Sequence, residues 1–232
     1  MNVQQRNRLQ GASLALLAGY VDTLGFIALF GLFTAHVTGN FILIGAALAD
    51  PSHIPILLKF LAFPAFIAGV AAASLLIAGV ERRKGPALTL ALSLQLLLLA
   101  GFMVFGMMAA PIGAEATPLA MTAGLLGAAA MGVHSATSKL LLGNLAPTSM
   151  MTGNVTQIVI DTVDVMRGGA DGATVERCMK FFWPILTFGI GAIIAAFAYL
   201  AYGFIALVVP LIILIALIVQ ERSEAGRPAV PS

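Results

Sequence analysis

Charged side chains are missing from most of this sequence. Lys and Arg together number 12 and Asp and Glu 10 in 232 residues, so 9% of the chain is charged while 60% is hydrophobic. A soluble domain has about 25% charged and roughly 45 to 50% apolar residues, so this composition points to an integral membrane protein. The formal net charge is only +2 and the basic residues fall in short connections, which gives no indication of a nucleic-acid partner. One cysteine, Cys178, excludes an intramolecular disulfide. No H-E-x-x-H, C-x-x-C, G-x-S-x-G or P-loop pattern occurs, so no metal, cofactor or enzyme chemistry is expected.

What the chain does have is long uncharged runs. No residue is charged between Lys59 and Glu81, between Lys84 and Glu115, or between Glu115 and Lys139, and each gap accommodates the ~20 residues of a spanning helix. The run from Phe181 to Val219 is uncharged throughout and long enough for two crossings, with a weak point at Tyr202-Gly203. The N-terminus, MNVQQRNRLQGASLALLAGYVD, starts basic like a secretory signal, but its apolar stretch continues well past Asp22. It is expected to stay as the first membrane helix.

Inside these runs one polar triplet recurs. Thr38-Gly39-Asn40 lies in FTAHVTGNFILIG and Thr152-Gly153-Asn154 in TSMMTGNVTQIVI. Two further pairs keep the same order: Gly19 to Asp22 with Gly132 to Ser135, and FPAFIAGV with WPILTFGI, which sets Pro64 against Pro184 and Gly69 against Gly189. Ordered matches of this kind indicate an internal duplication, giving a first membrane repeat at 1–115, a second at 116–222, and a cytoplasmic tail at 223–232 that is expected to be disordered.

Topology follows from counting. Basic residues favour the cytoplasmic side, and they fall at Arg6 and Arg8, at Arg82-Arg83-Lys84, at Arg167, Arg177 and Lys180, and at Arg222 and Arg227. If each polar-interrupted unit (10–49 and 117–163) makes one net crossing, all of these lie inside and Glu115 lies outside. The expected fold is therefore all-α and polytopic, about six spans as 3+3 inverted repeats, with a broken or re-entrant helix in each half and both termini cytoplasmic. Irregular backbone at membrane depth needs protein or a water-filled cavity around it, and the triplets mark the breaks. Gly39 and Gly153 permit unusual backbone angles, while Thr38, Asn40, Thr152 and Asn154 are candidate caps for short helices at about 41–49 and 155–163. Corresponding breaks in inverted halves point to a transport site near the midplane.

Asp22 is the leading candidate for proton coupling, because a carboxylate in a spanning segment costs about 2.5 to 3.5 kcal/mol on insertion scales; a structural, capping carboxylate is the alternative. His134 occupies the matching zone of the second half, beside Ser135, and His36 precedes the first triplet by two residues. Candidate solute-binding residues are Thr38, Gly39, Asn40, Thr152, Gly153, Asn154, His134 and Ser135, with Asp22 and His134 carrying protons. Helix N-termini at the triplets would offer N–H donors to a polar or anionic solute. Asp164 is expected at the surface, Asp161 is ambiguous, and Lys139 is expected to snorkel to the interface. The small-residue series Ala65, Gly69, Ala73 and Gly124, Ala128, Gly132 permit close helix approach, within one chain or in a homodimer.

The stretch GYVDTLGFIALFGLFTAHVTGN, with Gly19, Asp22 and Thr38-Gly39-Asn40, resembles the bacterial YoaK family of inner-membrane proteins, whose function is unknown. The resemblance runs from about 11 to 220 and includes the second triplet. It implies a multi-pass protein of the bacterial cytoplasmic membrane with about six helices, and suggests movement of small metabolites. Where this chain has His134-Ser135, the family commonly has a Gln-Asn pair. Residues and resemblance together lead to a small transporter for a polar or anionic metabolite, partnered by the lipid bilayer and a small-molecule solute. A passive channel and a membrane scaffold without flux are the alternatives.

Overall fold

The computed structural model describes residues 3–49, 56–169 and 172–225. They form eight α-helices and one short 3-10 helix, η1. In chain order these are α1 (Val3–Ala28), α2 (Gly39–Ala49), α3 (Ile56–Arg82), α4 (Ala87–Ala109), α5 (Pro118–Leu141), α6 (Met151–Met166), α7 (Gly172–Tyr202), η1 (Gly203–Leu207) and α8 (Val208–Ala225). Helices α1, α3, α4 and α5 are each long and apolar enough to cross a membrane, and α7, η1 and α8 form one apolar stretch from Gly172 to Ser223 of 52 residues. At ~1.5 Å per residue that stretch reaches about 78 Å, enough to cross twice. Its break falls where Gly203 takes a left-handed backbone, φ 58°, which only glycine adopts without strain. Tyr20 of α1 donates to the Ala206 carbonyl at 2.8 Å and so satisfies part of the irregular backbone of η1.

Large apolar side chains cover the outside, among them Ile42, Leu75, Leu97, Phe197 and Leu200, all more than two-thirds exposed. A belt of that kind faces lipid rather than water. Buried hydroxyls avoid leaving donors unpaired by bonding back one turn, as Ser93 does to Thr89 and Thr137 to Val133.

The two halves have the same run of elements: a long helix (α1, α5), a short helix opening at the triplet (α2, α6), then a long helix with an internal proline (Pro64 in α3, Pro184 in α7). The first long helix of each half packs against the proline helix of the other, α1 on α7 and α5 on α3. Both contacts are made by glycine against a backbone carbonyl. A Cβ on Gly19 would lie 2.2 Å from Phe188 O and one on Gly191 2.2 Å from Leu16 O; on Gly69 it would lie 2.1 Å from Ala129 O and on Gly132 2.2 Å from Phe66 O. The small-residue series therefore serve packing within the chain. The sequence match of Gly69 with Gly189 is corrected to Gly191, since a Cβ on Gly189 meets nothing within 4 Å.

Two sequence expectations change here. The second short helix is 16 residues long and begins at Met151, so Thr152-Gly153-Asn154 form its first turn instead of preceding it. Neither α1 nor α5 is broken midway: each is a continuous, full-length helix, of 26 and 24 residues, and the irregular backbone follows its C-terminus. The end of the expected C-terminal tail, 226–232, lies outside the described residues.

Candidate functional site

Each half carries a loop between its long and short helices, 29–38 and 142–150, and the triplet asparagine fastens each loop. Asn40 reaches seven residues back, accepting from the Phe33 N–H at 3.0 Å and donating to the Phe33 carbonyl at 2.8 Å. Asn154 also reaches seven residues back and donates to the Pro147 carbonyl at 2.7 Å. Pro147 has no N–H to give in return, and the buried Asn154 Oδ1 has no hydrogen-bond partner. Thus the asparagines close loops and are not helix caps; no side-chain cap bond starts α6, and Thr38 and Thr152 are exposed. The second loop is held by one bond fewer from its asparagine, whose amide also donates to the weak acceptor Met151 Sδ at 3.5 Å. Asn40→Ala is expected to destabilise the protein more than Asn154→Ala by about 1 kcal/mol, the net worth of one hydrogen bond, read as the difference in thermal midpoint of the two purified variants.

Asp22 organises the first loop. Its Oδ1 accepts from the backbone N–H of Thr34 and of Ala35, both at 2.7 Å, and from the Thr34 hydroxyl at 3.3 Å, while Oδ2 meets His36 Nδ1 at 2.6 Å. The carboxylate bond to the ring holds the His36 pKa above the usual imidazole value. Phe30 and Gly31 leave α1 through left-handed backbone, φ 55° and 72°, and the buried Lys59 of α3 donates to the Phe30 carbonyl. An ammonium at the C-terminal end of α1 complements the helix dipole.

The second loop uses a different polar core. His134 is buried, with Nδ1 3.2 Å from Gln95 Nε2 on α4 and Nε2 2.8 Å from Thr148 Oγ1. Thr148 in turn donates to Ser138 Oγ at 3.3 Å. Thr34 and Thr148 occupy the same position relative to the two triplets, so Asp22 and His134 seize the same residue in each half. Gln95 is fully buried and its Oε1 has no partner. Sequence reasoning missed Gln95, Lys59, Thr34 and Thr148; Gln95 in its leucine run is the one signal that could have been followed, by the rule that polar residues in spans are functional candidates.

The two loops hold to different levels of the bundle. The first packs on Gly124 and Gly127 of α5, where added Cβ atoms would touch Leu32 and Thr34. The second is tied to His134 and Ser138 of the same helix, and its Leu145 approaches Gly11 of α1. Gly127 and His134 are about 10 Å apart along α5, and Gly11 and Asp22 about 16 Å apart along α1, at 1.5 Å per residue. Each loop thus folds back along its own long helix into the bundle, the first to the level of Asp22 and the second to that of His134, and their anchors on α5 lie on either side of its middle.

Cavities open at both ends. At the second-loop end, a cavity of about 530 Å³ is lined by Ser135, Ser138, Lys139, Thr148, Ser149, Gly153 and Lys180 among others. An adjoining one of about 380 Å³ shares Leu145 and Lys180 and adds Arg8, Glu176 and Arg177. At the first-loop end, a cavity of about 700 Å³ lies between Ile27, Phe30, Pro111, Tyr202 and Phe204. Between them lies the buried core, including Leu17, Val21, Leu99 and Met131. Asp161, ambiguous in the sequence, is buried and paired bidentately with Arg177 at 2.7 and 2.9 Å, which joins α6 to α7 and holds its carboxyl below the usual range. Asp164 is exposed, as expected. No group of three or more metal-ligating side chains occurs among the described residues.

Full-length apolar helices, a lipid-facing belt and polar loops fastened at both ends define a polytopic helical membrane protein. Residues 10–220 match the family described as "Protein of unknown function (DUF1275)", and the chain belongs to that family. It is 32% identical over 138 residues to the UPF0700 transmembrane protein YoaK of Bacillus subtilis (strain 168), a match covering 57% of this chain and 61% of that protein's length. No solved structure matches the chain.

Proposed function

We propose that the protein is a proton-coupled secondary transporter of a small polar or anionic metabolite, resident in the bacterial cytoplasmic membrane with both termini inside. Six helices cross in this reading, α1, α3, α4, α5, α7 and α8, while α2 and α6 stay at opposite faces. The basic positions Arg8, Arg82, Arg83, Lys84, Lys139, Arg177, Lys180 and Arg222 then share the cytoplasmic side, and the two halves are inverted. Exchanged packing of α1 on α7 and α5 on α3 supports this arrangement, as does the presence of a cavity at each end with packed core between.

The observation that carries the reading is the buried chain from Gln95 through His134 and Thr148 to Ser138, which ends in the 530 Å³ cavity. A lone structural histidine needs no such continuation. With Nδ1 accepting from Gln95, Nε2 carries the hydrogen and donates to Thr148. A second proton on Nδ1 needs an acceptor, and rotation of the Gln95 amide brings its unpartnered Oε1 to that place. Proton duty thus falls on His134, and Asp22, with both oxygens engaged, frames the opposite loop.

Proteoliposomes loaded with a pH-reporting dye test this. One or more members of a panel of small polar and anionic metabolites should acidify the lumen with wild-type protein, and His134→Gln should abolish that signal while leaving the protein folded. Uptake that ignores an imposed proton gradient would assign a passive facilitator instead. Failure of every panel member to move or bind would favour a scaffold.

A further inference from the structure

The cavity beside the second loop has a one-sided chemistry. Its polar lining residues are Ser135, Ser138, Lys139, Thr148, Ser149 and Lys180, and no carboxylate is among them. Asp161 is bound to Arg177, and Glu176 lines the adjoining cavity, which shares Lys180. Neither Lys139 nor Lys180 forms a salt bridge among the described residues, and the contact recorded for Lys180 is over the Phe181 ring at 6.0 Å. Two ammonium groups therefore line a cavity that has no carboxylate in its own lining, the nearest along α7 being Glu176, one turn before Lys180 and without a salt bridge to it.

Hydrogen-bond direction points the same way. The Gln95 amide nitrogen can only donate, so in the neutral His134 ring Nδ1 accepts from it, Nε2–H donates to Thr148, and Thr148 donates to Ser138 Oγ. Ser138 receives a hydrogen and so has its own O–H to spend on something else, and it lines the cavity. The first turn of α6 adds N–H groups that its helix cannot satisfy: its N-cap, Met150, supplies no side-chain bond, and Gly153, in that turn, also lines the cavity. Ammonium, hydroxyl and helix-terminal N–H donors converge, and what they lack is an acceptor bearing negative charge.

We propose that this cavity is a binding site for a small oxyanion of the carboxylate or phosphate type, held by Lys139 and Lys180 and by the hydroxyls of Ser135, Ser138 and Ser149. As a statement about cargo it rests on the transporter reading above; as a binding site it stands alone. It also couples to His134. An oxyanion accepting from Ser138 fixes the chain in the direction in which Nε2 is a donor, the state that an added proton on the ring requires. The groups facing His134 are Gln95 from α4 and Thr148 from the loop, with apolar Val70 and Ala73 of α3 packed beside neighbouring Val133, and the cavity charges are Lys139 and Lys180.

Calorimetric titration of the full chain in phosphatidylcholine nanodiscs tests the site, with inorganic phosphate and malonate as probes and tetramethylammonium as the cationic control. Phosphate or malonate should bind and the cation should not. Lys139→Gln and Lys180→Gln should each weaken binding about tenfold or more, the worth of one charge-assisted hydrogen bond, with Lys139→Arg retaining most of it. A second arm uses nanodiscs containing phosphatidylglycerol. Lysine-dependent stabilisation by that lipid, with loss of phosphate binding, would keep the oxyanion chemistry and assign its source to a headgroup. Binding of neither anion nor anionic lipid, or binding unaffected by both lysine variants, overturns the site. His134-dependent flux of a neutral or cationic solute without anion binding would overturn the oxyanion and spare the transporter. Anion binding with no flux of any kind would do the reverse.

Discussion

Asp22→Ala is expected to lower the thermal midpoint more than any other polar-to-alanine change in the chain, and Asp22→Asn to lower it by roughly half as much. The carboxylate is buried and takes two backbone N–H groups at 2.7 Å, a hydroxyl and the His36 ring. Hydrogen bonds to a charged group are worth about 1.5 to 3 kcal/mol each, and buried donors left without a partner add to the loss. Alanine removes all of them, so a cost on the order of 4 kcal/mol is expected. Asparagine keeps one oxygen for the Thr34 and Ala35 N–H groups but gives up the charge. Unfolding followed through Trp183 fluorescence in detergent reads the difference. An Asp22→Ala midpoint equal to wild type would remove Asp22 from the frame of the loop and return it to the list of proton carriers.

The same pair has a pH signature. The His36 pKa is raised in the folded protein by its bond to Asp22. The tie therefore contributes fully below the unfolded value of about 6.5 and fades as pH rises through the higher folded value. The stability gap between wild type and His36→Gln should be widest in mild acid and narrow towards alkaline pH.

Alanine at Gly19, Gly69, Gly132 or Gly191 is the second large effect. At each, a Cβ would stand 2.1 to 2.2 Å from a carbonyl oxygen of the facing helix, and backbone cannot yield as a flexible side chain does. Overpacking of this kind costs about 1 to 3 kcal/mol, and the double variant Gly69→Ala/Gly132→Ala should fail to give a monodisperse peak in size-exclusion chromatography. Gly189→Ala, on the same helix as Gly191 but facing open space, is expected to be neutral or slightly stabilising, since alanine favours helix by about 1 kcal/mol. Equal tolerance of alanine at Gly189 and Gly191 would mean that α1 and α7 do not approach as closely as described.

Much of the architecture was legible because membrane helices announce themselves by missing charge. The spans, the break at Tyr202-Gly203 and the prolines inside α3 and α7 all follow from the sequence. Pairings through space were not legible. Lys59 reads as the edge of an uncharged run, yet it is buried against the end of α1; Asp161 reads as indeterminate because its partner Arg177 lies beyond the connection between α6 and α7. The seven-residue reach of Asn40 and Asn154 depends on loop geometry that no helical or strand period encodes. The placing of the irregular backbone has the same origin: the loops after α1 and α5 return along their helices to Asp22 and His134, and that return is set by side-chain pairings through space.

The central claim, that the two loops look out on opposite sides of the membrane, is open to one direct measurement. In a Cys178→Ser background, Thr38→Cys and Thr152→Cys place single thiols at exposed positions beside the two asparagines. A membrane-impermeant maleimide applied to intact spheroplasts should label the cysteine at 38, and should label the one at 152 only after the membrane is permeabilised. Labelling of both from the same side would contradict the account.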